Sequence, residues 1–161
     1  VTRQSSNRDY VRRVLLKFDT ATTLAAHTRI HSGTLTLTLK RGTDETRQVA
    51  AYRIAQSFDE RLASWVQRKE GYGWDVAGSL LGRKYAEATV GDGAGSKIRF
   101  DVTSLVQETL NELYDTRYTR VALIDELFRP HHFQQRSPRH LRVRVLFAVR
   151  CQCGENGRYR M

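Results

Sequence analysis

The sequence predicts an all-β fold, an antiparallel jelly-roll-like β-sandwich with two short capping helices. Three observations predict it. Thr34–Lys40, "TLTLTLK", alternates threonine and leucine with period two, the pattern of a strand with one buried face. Further strand candidates recur at spacings of roughly 10 to 20 residues, separated by turn signals. No long helical pattern alternates with them, which argues against a parallel α/β sheet.

The elements follow in chain order. Val11–Phe18, "VRRVLLKF", is a strand, partly alternating and partly continuous apolar. The "DTATTLAAHTRIHSG" after it reads as a loop crossing a sheet end, and Thr34–Lys40 is the second strand. Gly42 and Asp44 punctuate a turn before the third strand, Val49–Ile54. Ser57–Val66, "SFDERLASWV", changes period: Ser57 and Glu60 form an S-x-x-E capping box, and Phe58, Leu62, Trp65 and Val66 share one helical face. This predicts the first short helix, or a helical turn, packed against the sandwich. The "EGYGWDVAGSLLG" that follows, with glycines at 71, 73, 78 and 82, predicts a long ordered loop. Ala86–Val90 is a short strand, "GDGAGS" a tight turn, and Lys97–Asp101 a strand. The second helix is expected over Ser104–Leu113, capped by the side chain of Thr103 or Ser104. Thr119–Ile124 and His140–Arg150 supply the last strands. Residues 1–150 are expected to form a single domain and 151–161 a basic tail carrying a CxC motif.

Twenty-seven Lys and Arg against 17 Asp and Glu give a formal charge of +10. The cations gather at the ends: Val1–Lys17 holds five basic residues with one acid, and Arg129–Met161 eight arginines with one acid. Such ends attract an acidic partner, whether nucleic acid, anionic polysaccharide or anionic lipid. The plainer reading is that arginines keep a strand-rich surface soluble and its edges unpaired. No reader motif for nucleic acid accompanies the charge. The longest apolar run is the "VLFAV" of Val145–Val149, strand length, so no transmembrane segment is expected. The chain begins at Val1 and reads as a processed or excerpted piece, so a missing signal peptide leaves the compartment open.

Catalytic signatures are absent: there is no G-x-S-x-G, and "DGAGS" lacks the GK[ST] of a P-loop. His131 and His132 are the best acid–base candidates, but adjacent side chains in a loop point in different directions. No enzyme is expected. No cofactor is expected either; Asp59 and Glu60 offer carboxylates for a structural calcium, with helix capping as the plainer role. Cys151 and Cys153 are too few for a tetrahedral zinc site, and a bridge between them would be strained. An intermolecular disulfide and plain reduced thiols both stay open.

The segment that looks most like a binding site is "WVQRKEGYGWDVAGSLLGRKY". Tyr72 and Trp74 lie in a glycine-rich stretch beside Arg68, Lys69, Arg83 and Lys84. Aromatic faces stack on sugar rings, and guanidinium forks pair with carboxylate or sulfate. The mixture suits an acidic polysaccharide. The alternative is that Trp74 plugs the core and the cations form a solvated rim.

The order of the pieces carries a resemblance. "RVLLKFD" (Arg13–Asp19), "SGTLTLTL" (Ser32–Leu39), "YRI", "FDERLASW" (Phe58–Trp65), "IRFDVTSLV" (Ile98–Val106) and "SPRHLRVRVLF" (Ser137–Phe147) follow one another. Over about residues 12 to 148 this resembles the DNRLRE-type carbohydrate-binding domains, secreted sandwiches of surface proteins and polysaccharide lyases. The F-D-V-T-x-x-V step is also similar to that of TGF-β superfamily propeptides. The resemblance implies a non-catalytic, secreted or cell-surface module. Phe58 and Ser64 depart from the family pattern, and the tryptophan usual after the F-D-V-T helix is replaced near Thr109. Family members also begin with one or two strands before R-x-L-L-R-F-D, where this chain has about a dozen residues. An open sheet edge would then invite a strand from another copy, making a structural subunit of an extracellular filament or matrix the second expectation. A prodomain-like, protein-binding module is the third.

Overall fold

The computed structural model describes residues 2–6, 9–22, 24–40, 46–91, 93–114, 116–126, 143–151 and 158–159. The Leu/Thr alternation sits in β3 (Ile30–Leu39), where Leu35, Leu37 and Leu39 are buried and Thr34, Thr36 and Thr38 are half-buried. Leu35 is flanked in register by Phe100 of β8 (Lys97–Asp101) and by Phe147 of β10 (Val143–Cys151). Such cross-strand pairs of large apolar side chains stabilise an antiparallel ladder. With β11 (Arg158–Tyr159), these strands form a sheet in the order β11-β10-β3-β8.

The second sheet has β1 (Thr2–Ser6), β2 (Asp9–Asp19), β4 (Arg47–Ile54), β7 (Leu81–Val90) and β9 (Tyr118–Asp125), in the order β1-β2-β9-β4-β7. β5 (Gln67–Lys69) and β6 (Tyr72–Gly73) form a separate small hairpin. Every pairing is antiparallel. The described structure is therefore mostly β, in several antiparallel sheets, as expected. One buried cluster draws on both large sheets: Leu35, Leu37, Ile98 and Phe100 meet Phe18, Ala51, Val121 and Leu123. Phe18 stacks on Phe147 across it, ring centroids 4.1 Å apart.

β9 shows why its apolar run is continuous. Val121 and Leu123 belong to the main core, so the period of two turns Ala122 to the other face. There Ala122 joins Ile54, Phe58 and Trp74 in a second buried cluster, edged by Leu15, Ala63, Leu81 and Ile124. A strand buried on both faces reads as unbroken apolar sequence rather than alternation.

Among the described residues one helix, α1 (Thr103–Leu110), is present where two were expected. It buries Leu105, Val106, Thr109 and Leu110. The expected cap is corrected: no Thr103 or Ser104 side chain caps it. Instead Asp101 Oδ1 accepts the Thr103 amide at 2.9 Å and the Thr103 hydroxyl at 2.5 Å. Thr103 Oγ1 in turn accepts the Gly33 amide, tying α1 to β3. Those two bonds hold the Asp101 carboxyl below the usual carboxylate range.

Over Ser57–Val66 no helix forms, and the helical turn that was the alternative stands in its place. Asp59 Oδ1 accepts the amides of Arg61 and Leu62, and the Ala63 amide reaches the Asp59 carbonyl, which makes one turn. The chain then leaves for β5. Leu62 and Val66 are 48% and 70% exposed, so half of the supposed apolar face stays in solvent, and a helix this short without a buried face is unstable in water. The capping box is not made either: the Ser57 hydroxyl accepts Arg68, and Glu60 pairs with Lys17 at 3.8 Å. β7 begins at Leu81, five residues before the expected strand at Ala86.

Gly78 fixes the foot of this segment. Its φ is +85°, and an added Cβ would lie 2.7 Å from the Trp65 ring. Gly78→Ala is expected to lower stability by about 1–3 kcal/mol through steric overlap and the positive φ. Urea unfolding should show a lower midpoint with an unchanged m-value.

Candidate glycan-binding surface

The β5–β6 hairpin projects a small cationic and aromatic surface. Lys69 faces Tyr72 across a two-residue turn, Glu70-Gly71, in which Gly71 adopts φ +72°. Tyr72 is 55% exposed, large for an aromatic side chain. Lys69 Nζ lies 4.3 Å from its ring centroid and Arg68 Cζ 5.3 Å, both within cation–π range. Arg68 is anchored from behind, donating to the carbonyl and hydroxyl of Ser57 at 3.2 and 3.1 Å. Of the six residues expected to bind glycan, Arg68, Lys69 and Tyr72 are brought together here.

The other three have different partners. Trp74 is 8% exposed, tilts against Phe58 with ring centroids 6.2 Å apart, and donates its indole N–H to the Ser64 carbonyl at 2.9 Å. It forms the base of the hairpin and offers no open face for a sugar. Arg83 lies on β7, pairs with Glu108 of α1 at 3.2 Å and covers the Tyr85 ring. Lys84 pairs with Glu87 at 2.9 Å and Glu126 at 3.1 Å, and those bonds raise its ammonium pKa. These two cations pair with carboxylates, and their side chains stay 63% and 41% exposed.

Glu108 is the centre of a network. The Tyr85 hydroxyl donates to it, and the Tyr114 hydroxyl donates at 2.6 Å. Burial pushes the Glu108 carboxyl up, but the two tyrosine bonds and the charges of Arg83 and Arg53 outweigh it and leave it below the ordinary value. Burial, then the bond to Glu108, pushes the Tyr85 hydroxyl up. The network ties β7 to α1 through Glu108.

Asp59 and Glu60 are engaged as described above, and among the described residues no three His, Cys, Asp or Glu side chains gather as a metal site would require. Cys151 ends β10, half-buried against the main core, as a free thiol. Cys153, His131 and His132 lie outside the described residues, as do Ser137–Arg142 of the closing motif. Two charged side chains escaped the sequence: Arg120, buried in β9, and Arg53 beside it, both read only as members of strands. The available signal was a charge inside "TRVALI", where Thr119 and Val121–Leu123 are buried.

Compared with protein families, curated proteins and solved structures, the chain finds no match in any of the three. No helix among the described residues is long and apolar enough to cross a membrane.

Proposed function

We propose that this chain is a non-catalytic, secreted module that binds acidic polysaccharide through the β5–β6 hairpin, on a jelly-roll β-sandwich. The observation that carries it is the exposed Tyr72 ring with the charges of Lys69 and Arg68 beside it. A pyranose stacks on the open part of the ring, and its carboxylate or sulfate draws the Lys69 ammonium off the ring into an ion pair. The sandwich reading is supported by the path of the chain. Apart from β4 and β7, which are neighbours in one sheet, successive strands from β2 to β10 cross between the sheets β2-β9-β4-β7 and β10-β3-β8, as in double-sheet jelly rolls.

Affinity electrophoresis through gels containing alginate, pectin, heparin or neutral glucan tests this. One acidic glycan should retard the wild type at raised salt, and Tyr72→Ala should remove that retardation. Retardation by every polyanion, vanishing with salt and indifferent to Tyr72→Ala, would mean that only the net charge was being read.

A second reading, assembly with other copies by edge pairing, is favoured by the outer side of β10. There β11 pairs with Phe147 and Ala148 alone among the described residues. Sedimentation velocity at rising concentration separates the two: a concentration-independent monomer removes assembly and leaves glycan binding standing.

A further inference from the structure

The two large sheets differ in what covers their outer faces and in how their charges are matched. Both feed the main buried cluster, so the faces turned away from it lie on opposite sides of the molecule. The outer face of β2-β9-β4-β7 carries the second cluster, where Ala122 of β9 meets Phe58 and Trp74 at the foot of the hairpin. On β10-β3-β8 the cluster members, among them Leu35, Leu37, Phe100 and Phe147, fall on the inner alternation. The outer alternation adds none, and Leu146 on it is 40% exposed.

Register builds that outer face row by row. Thr38 stands between Arg144 of β10 and Lys97 of β8, Thr36 between Leu146 and Arg99, and Thr34 between Ala148 and Asp101. Rows two residues apart share a face, about 7 Å apart along the strands, with neighbouring strands about 5 Å apart. The half-buried hydroxyls of Thr34, Thr36 and Thr38 make no hydrogen bond with a described residue. Lys97 and Arg99 are exposed and pair with no described carboxylate.

Charge matching is confined to the other sheet. Every salt bridge among the described residues has a member on β2, β4 or β7, and none has one on β3, β8, β10 or β11. The strands of β11-β10-β3-β8 carry Lys97, Arg99, Arg144, Arg150 and Arg158 against one acid, Asp101. Asp101 Oδ1 is already bonded by the Thr103 amide and hydroxyl. Lys97 and Arg99 also discourage strand pairing at the β8 edge, which leaves the face, not the edge, as the contact.

We propose that the outer face of β10-β3-β8 is a second docking surface for acidic polysaccharide, so that one molecule bridges two polymer strands. The bridge rests on the reading of the hairpin as an acidic-glycan site. Carboxylate or sulfate oxygens accept from the threonine hydroxyls and pair with Lys97 and Arg99. No outer-facing residue among those described on β3, β8 and β10 is aromatic, which favours a charged saccharide over a single-stranded nucleic acid held by base stacking. Exposed charges are screened beyond about 8 Å at physiological salt. Short chains therefore hold to this face only at low salt, and long chains hold through avidity.

The test combines amide shift mapping and light scattering on the wild type, Lys97→Gln/Arg99→Gln and Tyr72→Ala. At about 10 mM salt, where screening sets in only beyond about 30 Å, heparin oligosaccharides should shift Thr34–Thr38 and Lys97–Asp101 in wild type and Tyr72→Ala. Those shifts should be lost in Lys97→Gln/Arg99→Gln, which should keep its fold because both side chains are exposed. Long heparin chains at physiological salt should form scattering aggregates with the wild type and with neither variant. Silence on β3 and β8 beside a responding hairpin would overturn the second surface and leave the hairpin site standing. Shifts on β3 and β8 with the hairpin silent, and scattering indifferent to Tyr72→Ala, would support this surface and overturn the hairpin reading instead. Equal shifts at exposed arginines of both sheets, or tighter binding of a single-stranded DNA oligomer of equal charge, would overturn the proposal.

Discussion

Trp74→Ala is expected to destabilise the protein by about 3–5 kcal/mol, the range for truncating a large aromatic in a packed core. The indole is buried against Phe58, and its N–H holds the Ser64 carbonyl. Truncation therefore empties the second apolar cluster and frees the foot of the hairpin together. Tyr72→Ala, two residues away, removes an exposed ring and should leave stability within about 0.5 kcal/mol of wild type. Chemical denaturation of the two variants side by side measures the contrast. Polymer retardation should be lost in Tyr72→Ala while its fold stands. Equal stability losses in the two variants would mean that both aromatics are core, and the hairpin would then present no binding face.

Glu108→Ala carries the second large effect, a loss of about 2–3 kcal/mol, set by hydrogen bonds to a charged and half-buried acceptor. Its removal leaves the Tyr85 and Tyr114 hydroxyls bonded to each other alone, at 2.6 Å, and leaves Arg83 without its carboxylate. The same residue shapes the acid limb of stability. The folded Glu108 pKa is depressed, so its contribution is fully present above the unfolded carboxylate value near 4.3. It is lost as pH falls through the lower folded value. Glu108→Gln should therefore lose stability at neutral pH and show a shallower fall on acidification. Asp19, Asp101 and Glu126 are depressed too and keep the remaining slope. A parallel acid limb in wild type and Glu108→Gln would show that the carboxylate is not the acceptor described here.

Much of the β framework was legible because it rests on local period. The Leu/Thr alternation of β3 identifies its own buried face, and the "FDVT" step carries a strand into α1. The helix cap was misassigned by two residues because the strand-end carboxylate of Asp101 competes with the hydroxyls that follow it. The Ser57–Val66 helix failed for a different reason. Its period is helical, but a short helix needs a surface to bury against, and period alone does not supply one. Of its four apolar residues Phe58 alone is buried, while Leu62 and Val66 stay in solvent. The binding surface was half legible. The sequence gathers Arg68, Lys69, Tyr72 and Trp74, but which aromatic turns inward depends on Phe58, sixteen residues before Trp74. Arg83 and Lys84 read as free cations because Glu108 and Glu126 reach them only through the fold. The Arg53–Arg120 pair was hidden for the same reason: β4 and β9 are neighbours in the sheet and far apart in the chain.

The most direct test of the glycan-binding proposal is amide chemical-shift mapping of the folded chain titrated with heparin and alginate oligosaccharides at physiological salt. The account predicts saturable shifts concentrated at Gln67–Gly73, with Trp74 responding only through its backbone, and their disappearance in Tyr72→Ala. Shifts spread over arginines throughout the surface, or confined to residues away from the hairpin, would contradict it.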